Sequence, residues 1–263
     1  MNHLLDLETY PLDRPDSPVY ATLVETCRSD LATNGMFNLP GFFKPGVAQA
    51  AADSAKPAMT TASFRHARSH NVYFKDEMPG IDVNHPAMVK LETVNHTLCA
   101  DQLEGNPVTE VYEWQPFADF LAATMRKDKL YQMGDRMARV NVQATRDGEG
   151  LNWHFDRSEF TTTILLQAPK IGGQLEYRKD LRTPKDQNYN GVAAVLAGKD
   201  PETKRIMPEP GALNVFRGVN TPHRVVPVQG DRERVIAIFS YYETPNAAFS
   251  AEEQLGFYGR TVE

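Results

Sequence analysis

A short motif, His154-Phe155-Asp156, and a distant second histidine, His223, constrain the fold of this chain most strongly. Side chains two positions apart on a β-strand point to the same side, so His154 and Asp156 can bind one metal ion. His223 can join them only if a second strand lies beside the first. Two histidines and one carboxylate form the facial ligand set that binds Fe(II) and leaves the opposite positions open. The spacing therefore predicts a metal site in a β-rich fold.

Short apolar and β-branched segments on both sides of the motif favour the metal site over the alternative, a solvated loop. These segments are separated by turns rich in Gly and Pro. Several short strands with turns between them are typical of a double-sheet jelly roll. We predict strands at 136–144, 161–166, 171–177, 209–216 and 235–242.

Two arginines, Arg232 and Arg234, lie at the start of the last strongly predicted strand. Strand periodicity places Arg234 on one face with Ile236 and Ile238. An inward-facing arginine is costly to bury without an anionic partner, and its planar guanidinium suits two-point binding of a carboxylate. The distal carboxylate of 2-oxoglutarate would be such a partner. We favour Arg234 as the inward residue that binds the cosubstrate and keep Arg232 as the other candidate; the arginine that faces outward would form a surface ion pair with Glu233 or Asp231.

These motifs resemble the Fe(II)/2-oxoglutarate-dependent oxygenase superfamily, whose core is a double-stranded β-helix. Within it, the segments at 152–167, 172–182 and 210–245 are most similar to the bacterial free-amino-acid halogenases and their hydroxylase relatives. The resemblance implies Fe(II), 2-oxoglutarate as cosubstrate and O2. It also implies His154, Asp156 and His223 as iron ligands and catalytic residues, with Arg234 holding the cosubstrate.

One position separates the two chemistries of that group. The resemblance implies that halogenating members carry a small residue in place of the carboxylate, so that chloride can occupy the vacant iron position. This chain has Asp156 there. The resemblance therefore implies hydroxylation or a related oxidation.

Other polar residues are candidates for cosubstrate or substrate binding. Asn141 lies on the strand before the motif, where an inward amide would reach the cosubstrate and an outward amide would face water. Arg157 follows Asp156 directly, and a solvated surface orientation is equally compatible with the sequence. The aperiodic segment 64–74 is a candidate specificity loop, with a solvated surface loop as the alternative. The residues that we assign to substrate binding are Arg157, Arg65, Arg68, Asn71 and Tyr73.

The chain divides into two parts within one predicted catalytic domain over 1–263. Residues 1–130 are predicted to be mostly helical and to pack on a jelly-roll core at 131–250. The fold class is therefore mainly β with flanking helices and a cupin-like core. A polar insertion at about 179–204 is a candidate lid. Helices are predicted at 17–34, 47–59, 91–103, 113–130 and 192–196, with a short strand and turn at 36–43.

Composition narrows the possible partners. The net charge of −6 disfavours a nucleic-acid-binding surface, and no stretch reaches the about 18 apolar residues that a membrane span needs. The N-terminus lacks a signal-peptide pattern, and Cys27 and Cys99 are isolated, so we expect a cytoplasmic protein. The oligomeric state is left open, with a homodimer as one candidate.

The sequence predicts a dioxygenase that hydroxylates an unactivated C–H of a small polar metabolite, with a free amino acid or derivative as the favoured substrate. Succinate and CO2 would be the other products. One alternative is a non-catalytic cupin-type binding protein. Another is a 2-oxoglutarate oxygenase that acts on a protein or gives desaturation or demethylation.

Overall fold

The computed structural model describes residues 1–262. Its helices are α1 (Pro18–Asn34), α2 (Val47–Thr61), α3 (Pro107–Glu113), α4 (Gln115–Thr124), α5 (Tyr189–Leu196) and α6 (Ala251–Tyr258). Its strands are β1 (Met36–Leu39), β2 (Phe64–His70), β3 (Leu91–Leu98), β4 (Tyr131–Gln132), β5 (Val140–Thr145), β6 (Leu151–His154), β7 (Thr161–Gln167), β8 (Leu175–Tyr177), β9 (Lys204–Ile206), β10 (Leu213–Phe216), β11 (His223–Val225), β12 (Arg234–Phe239) and β13 (Tyr241–Tyr242). Within the described residues, no helix is long and apolar enough to cross a membrane.

Two antiparallel sheets form the core. The large sheet has the strand order β1-β10-β7-β12-β5-β3-β2, and the small sheet has the order β6-β11-β8-β9. The sheets face each other, since Met36 and Phe216 of the large sheet cluster with Leu175 and Tyr177 of the small one. This arrangement confirms the predicted jelly-roll core.

Alternate residues of the large sheet face opposite ways, as strand geometry requires. One set packs against the helices in the main hydrophobic core; in β12 these are Val235, Ala237 and Phe239. The other set, which includes Arg234 and Ile236, therefore faces the small sheet. We call the space between the two sheets the sheet interior. Side chains that face it are available to a metal ion and its ligands.

The helices begin and end at residues suited to those positions. In α1 the Ser17 hydroxyl accepts a hydrogen bond from the Tyr20 N–H, and Gly35 ends the helix in the left-handed conformation. In α6 the side chains of Ser250 and Glu253 form a capping box. Helix α2 buries an alanine-rich face against the large sheet. Helices α1 and α2 cover the face of the large sheet opposite the interior.

The helix predicted over 91–103 is wrong. Leu91–Leu98 is strand β3, which pairs with both β2 and β5, and only Ala100–Gln102 is a short 3-10 helix. The segment 64–74, which shows no clean periodicity, contributes strand β2. Pairing with neighbouring strands makes both segments β-strands. Residues 1–130 therefore supply three strands of the large sheet besides the predicted helices.

Candidate metal centre

Strand pairing brings the two histidines of the motif together. His154 is the last residue of β6, His223 is the first residue of β11, and the two are direct partners across the strands. Their ring centroids are 4.2 Å apart. Asp156 lies two residues beyond His154, where the chain leaves the small sheet and turns toward the large one.

The three side chains point their ligand atoms at one place. Nε2 of His154 and Nε2 of His223 each lie 3.5 Å from Oδ1 of Asp156. One ligand atom from each residue lies within 4.8 Å of the others. Among residues 1–262, this is the one group of three or more His, Cys, Asp or Glu side chains whose ligand atoms lie this close together.

Backbone carbonyls set the orientation of both imidazole rings. Nδ1 of His154 lies 2.8 Å from the Asn152 carbonyl oxygen, and Nδ1 of His223 lies 3.0 Å from that of Thr221. A carbonyl oxygen only accepts hydrogen bonds, so each Nδ1 carries the proton and each Nε2 presents its lone pair. This is how the ligating nitrogen of a metal-binding histidine is usually fixed.

The third member, Asp156, is held as a carboxylate by its neighbours. The Thr161 hydroxyl of β7 donates a hydrogen bond of 2.6 Å to Oδ2, and the Asp156 N–H donates to the Gly218 carbonyl oxygen at 3.1 Å. Burial tends to raise the pKa of Asp156, but the adjacent His223 and His154 and the hydrogen bond from Thr161 lower it below its ordinary value. Burial also lowers the pKa of His223 to about 4, which keeps that ring neutral near pH 7.

Gly218 allows Asp156 to occupy this position. A Cβ added at Gly218 would overlap the carboxylate of Asp156. Only glycine therefore fits between the backbone and the carboxylate here. The sequence reasoning missed both Gly218 and Thr161, because neither is a ligand type and each contacts the site only through Asp156.

The two candidate cosubstrate arginines have opposite environments. Arg234 is buried in the sheet interior, and its Nε has no hydrogen-bond partner. Within the described residues it forms no ion pair, and burial alone lowers its pKa to about 10. Arg232 is exposed and lines a surface cavity beside α2. A buried guanidinium without a carboxylate is suited to bind an anionic ligand.

A family model described as Halogenase D (HalD) matches residues 19–254. The chain belongs to the Halogenase D family. No curated protein sequence matches this HalD-family chain.

Solved structures with the same fold are distant in sequence. An oxidoreductase of the 2OG-Fe(II) oxygenase family from Burkholderia pseudomallei is 15% identical, over 85% of this chain and 92% of that chain, with a TM-score of 0.50. A prolyl-4-hydroxylase from Pseudomonas putida is 14% identical over 82% and 98%, with a TM-score of 0.51. The epimerase SnoN, solved with Fe3+, alpha ketoglutarate and nogalamycin RO, is 13% identical over 83% and 84%, with a TM-score of 0.52.

The family match over residues 19–254 confirms the resemblance to the halogenase group, and the solved 2OG-Fe(II) oxygenase structures share the fold of this chain. The His-Asp-His group fits the predicted iron ion. The SnoN structure, which has the same fold, holds Fe3+ and alpha ketoglutarate.

Asn141, which was predicted to bind the cosubstrate, already has hydrogen-bond partners in this HalD-family chain. Asn141 faces the sheet interior, but its Nδ2 donates to the carbonyl oxygens of Met137 and Val140. Its Oδ1 accepts a hydrogen bond of 3.1 Å from the Tyr258 hydroxyl of α6. The amide already has partners, so its contacts point to a structural role: it ties α6 to β5.

Two exposed arginines lie near the metal group. Arg68 of β2 stacks on Phe74 at 4.5 Å, and the Phe74 ring lies 5.8 Å from that of His154. Arg68 has no ion-pair partner within 1–262, and its pKa is lowered by burial and by the charge of Arg157. Arg157 is exposed and pairs with Glu253 of α6 at 2.9 Å. The structure thus brings these two candidates near each other.

The other three candidates for substrate binding have structural partners. Arg65 is exposed and lies 3.7 Å from Glu149. The Asn71 amide is buried and organises its own loop, donating to the Lys75 carbonyl oxygen and accepting from two backbone N–H groups. Tyr73 is buried and donates its hydroxyl to the Gln187 carbonyl oxygen. None of the three directs a free polar group toward the metal group.

Proposed function

We propose that this chain is an Fe(II)- and 2-oxoglutarate-dependent hydroxylase of a small polar metabolite, with a free amino acid or derivative as substrate. One observation carries the proposal. A His-Asp-His group and a buried arginine without a carboxylate partner share one sheet interior. A metal ion fits the first, and the distal carboxylate of a 2-oxo dicarboxylate fits the second.

The residues of the group have defined parts in this proposal. His154, Asp156 and His223 hold Fe(II) through two neutral imidazoles and one carboxylate, and Arg234 binds the far carboxylate of the cosubstrate. Bound Fe(II) supplies the oxidation chemistry with 2-oxoglutarate and O2, which is the contribution of the cofactor and not of the protein. The protein orients the cosubstrate and the C–H to be oxidised, and it excludes water.

Asp156 supports hydroxylation over halogenation, although the family is described by the name of a halogenase. Its carboxylate occupies the third ligand position, and Thr161 and Gly218 hold it there. A halide at the same position would meet a fixed negative charge. The native protein is therefore expected to transfer oxygen and not chlorine.

Arg68 and Arg157 support a small substrate with an anionic group. Arg68 is an unpaired cation beside Phe74, whose ring contacts the ring of His154. A substrate carboxylate would pair with the Arg68 guanidinium, which has no ion-pair partner within 1–262, and would place the carbon chain near the metal group. A free amino acid carries such a carboxylate.

A cupin-type binding protein without turnover does not explain the buried Arg234 in the sheet interior. A simple metal cupin has no need of a buried guanidinium, whereas a dicarboxylate cosubstrate requires a cation at that end. Several expectations stay predictions: the protein-substrate alternative, the homodimer, the cytoplasmic location, the single catalytic domain and the lid formed by 179–204. Of the lid segment, Leu181, Val192 and Val195 are buried with Trp153 and Phe155.

The test is a screen of free amino acids for substrate-stimulated succinate formation by the Fe(II)-loaded protein. We expect a subset of amino acids to stimulate succinate release and to gain one oxygen atom. His223→Ala is the matched control and should give no stimulation. Turnover only with a peptide or protein would refute the small-substrate proposal.

A further inference from the structure

Two asparagines inside the sheet interior have polar atoms without partners. Asn214 of β10 is 3% exposed, and neither its Nδ2 nor its Oδ1 has a hydrogen-bond partner. Asn38 of β1 is directly opposite Asn214 in the strand register, and its buried Nδ2 also has no partner. Burial of an unpaired amide destabilises a fold. Two such residues side by side indicate a site that a ligand completes.

The strand pattern shows which way Asn214 faces. Its neighbours Leu213 and Val215 belong to the main core beneath the helices, so Asn214 and Phe216 face the sheet interior. The Phe216 ring lies 4.8 Å from the ring of His223. Asn214 is therefore two residues along the same strand face from a residue that touches the metal group, a step of about 7 Å.

The interior changes in polarity from the metal group toward Arg234, as strand β7 shows. Thr161 bonds to Asp156, and the next inward residue, Thr163, is the register partner of Asn214. The inward residue after that is Leu165, which pairs with Ile236, two residues from Arg234. Along the sheet interior, the metal group is therefore followed by the amide of Asn214, then by the aliphatic side chains of Leu165 and Ile236, and then by the guanidinium of Arg234.

This order matches the polarity of 2-oxoglutarate along its length. Its 2-oxo acid end is polar, its two methylene groups are apolar, and its far end is a second carboxylate. We propose that, when the cosubstrate binds, Asn214 donates its amide N–H to the carboxylate of the 2-oxo acid end, and that Asn38, opposite it in the register, is the positioning residue whose Nδ2 then donates to Oδ1 of Asn214. This inference rests on the proposed function and adds a second cosubstrate anchor at the end opposite Arg234.

The experiment measures ligand binding without turnover. Protein loaded with Mn(II) in place of Fe(II) is titrated with two probes, 2-oxoglutarate and pyruvate, by calorimetry. Pyruvate has the 2-oxo acid end and lacks the far carboxylate. Asn214→Leu, which keeps the shape of the side chain, is compared with Arg234→Met and with the wild type.

We expect Asn214→Leu to lower the affinity for both probes by about tenfold or more, since a hydrogen bond to a charged group is lost. Arg234→Met should lower the affinity for 2-oxoglutarate and leave the affinity for pyruvate unchanged. Wild-type affinity for both probes in Asn214→Leu would overturn the inference alone. Absence of binding by the metal-loaded wild type would overturn the proposed function together with it.

Thermal unfolding of the metal-free protein separates a ligand-binding amide from a structural one. Asn214→Leu should keep or raise the Tm, because it removes an unpaired polar group from the interior. Asn152→Leu is the matched control: Asn152 is also buried and its Oδ1 also lacks a partner, but its Nδ2 donates to the carbonyl oxygens of His70 and Leu91, so its loss should lower the Tm. A Tm decrease in Asn214→Leu as large as that of Asn152→Leu would overturn the inference.

Discussion

Replacing Arg234 by Met should stabilise the protein without its ligands and abolish tight cosubstrate binding. The reason is that the guanidinium is buried in the sheet interior with no carboxylate partner among residues 1–262. Its charge is unfavourable until an anion arrives, and favourable afterwards. The same substitution therefore has opposite effects on stability and on binding.

The lowered pKa of Arg234 gives the size of the first effect. A decrease from 12.5 to about 10, caused by burial, corresponds to about 3 kcal/mol of cost for the charged form. Because the folded pKa is the lower one, this cost is fully present below pH 10 and is relieved only as the pH rises from about 10 to 12.5. We expect Arg234→Met to raise the free energy of unfolding at pH 7 by up to about 3 kcal/mol, or roughly 5 °C in Tm.

The second effect concerns the lost ion pair with the cosubstrate. Removing one partner of a buried, hydrogen-bonded charge pair costs roughly 2–5 kcal/mol, which is about 30-fold or more in affinity. Arg232→Met is the matched control, because Arg232 is exposed and lies on the same chain segment. It should change neither stability nor affinity appreciably.

Urea unfolding of the metal-free protein and calorimetric titration of the Mn(II)-loaded protein with 2-oxoglutarate measure the two effects. An Arg234→Met protein that is less stable than the wild type and binds 2-oxoglutarate equally well would refute the assignment of Arg234. A loss of affinity in Arg232→Met alone would move the cosubstrate anchor to Arg232.

Four further substitutions test the metal group and the residues around it. His223→Ala should abolish tight Fe(II) binding with the circular dichroism spectrum retained, and normal iron binding would remove the triad assignment. Gly218→Ala should weaken Fe(II) binding about tenfold or more, because its Cβ displaces Asp156; unchanged metal affinity would show that Asp156 is free to move. Arg68→Ala should raise the substrate KM with 2-oxoglutarate affinity unchanged, and an unchanged KM would place the substrate carboxylate elsewhere. Burial lowers the pKa of His70 to about 4, so the free energy of unfolding of the metal-free protein should fall by up to about 3 kcal/mol as the pH drops from 6.5 to 4. His70→Gln should reduce this pH dependence in urea unfolding. An unchanged pH dependence would show that His70 does not cause it.

Part of the site could be predicted from the sequence, because residue spacing along a strand fixes which way side chains point. His154 and Asp156 are two residues apart, so strand geometry alone places them on one side of the chain. The inward orientation of Arg234 also follows from period-two alternation in β12. His223 joins the group only because β11 pairs with β6, and the sequence supplied it through the resemblance to a known family.

Other features depend on which segments meet in space. Residues 91–98 have no sequence signal that outweighs helix, and pairing with β2 and β5 makes them a strand. Asn141 was predicted as a cosubstrate ligand, but α6, far along the chain, takes its amide oxygen. The pair Asn38 and Asn214 was missed because each interrupts an apolar strand, and only the register shows that they lie opposite each other.

The most direct test of the proposed hydroxylase is mass spectrometry of complete reactions. Protein, Fe(II), 2-oxoglutarate, O2 and a mixture of free amino acids are incubated with added chloride. We expect one amino acid to gain a single oxygen atom, with one succinate formed for each product molecule. A chlorinated product, or succinate formation without any oxygenated amino acid, would contradict the hydroxylase function proposed for this HalD-family chain.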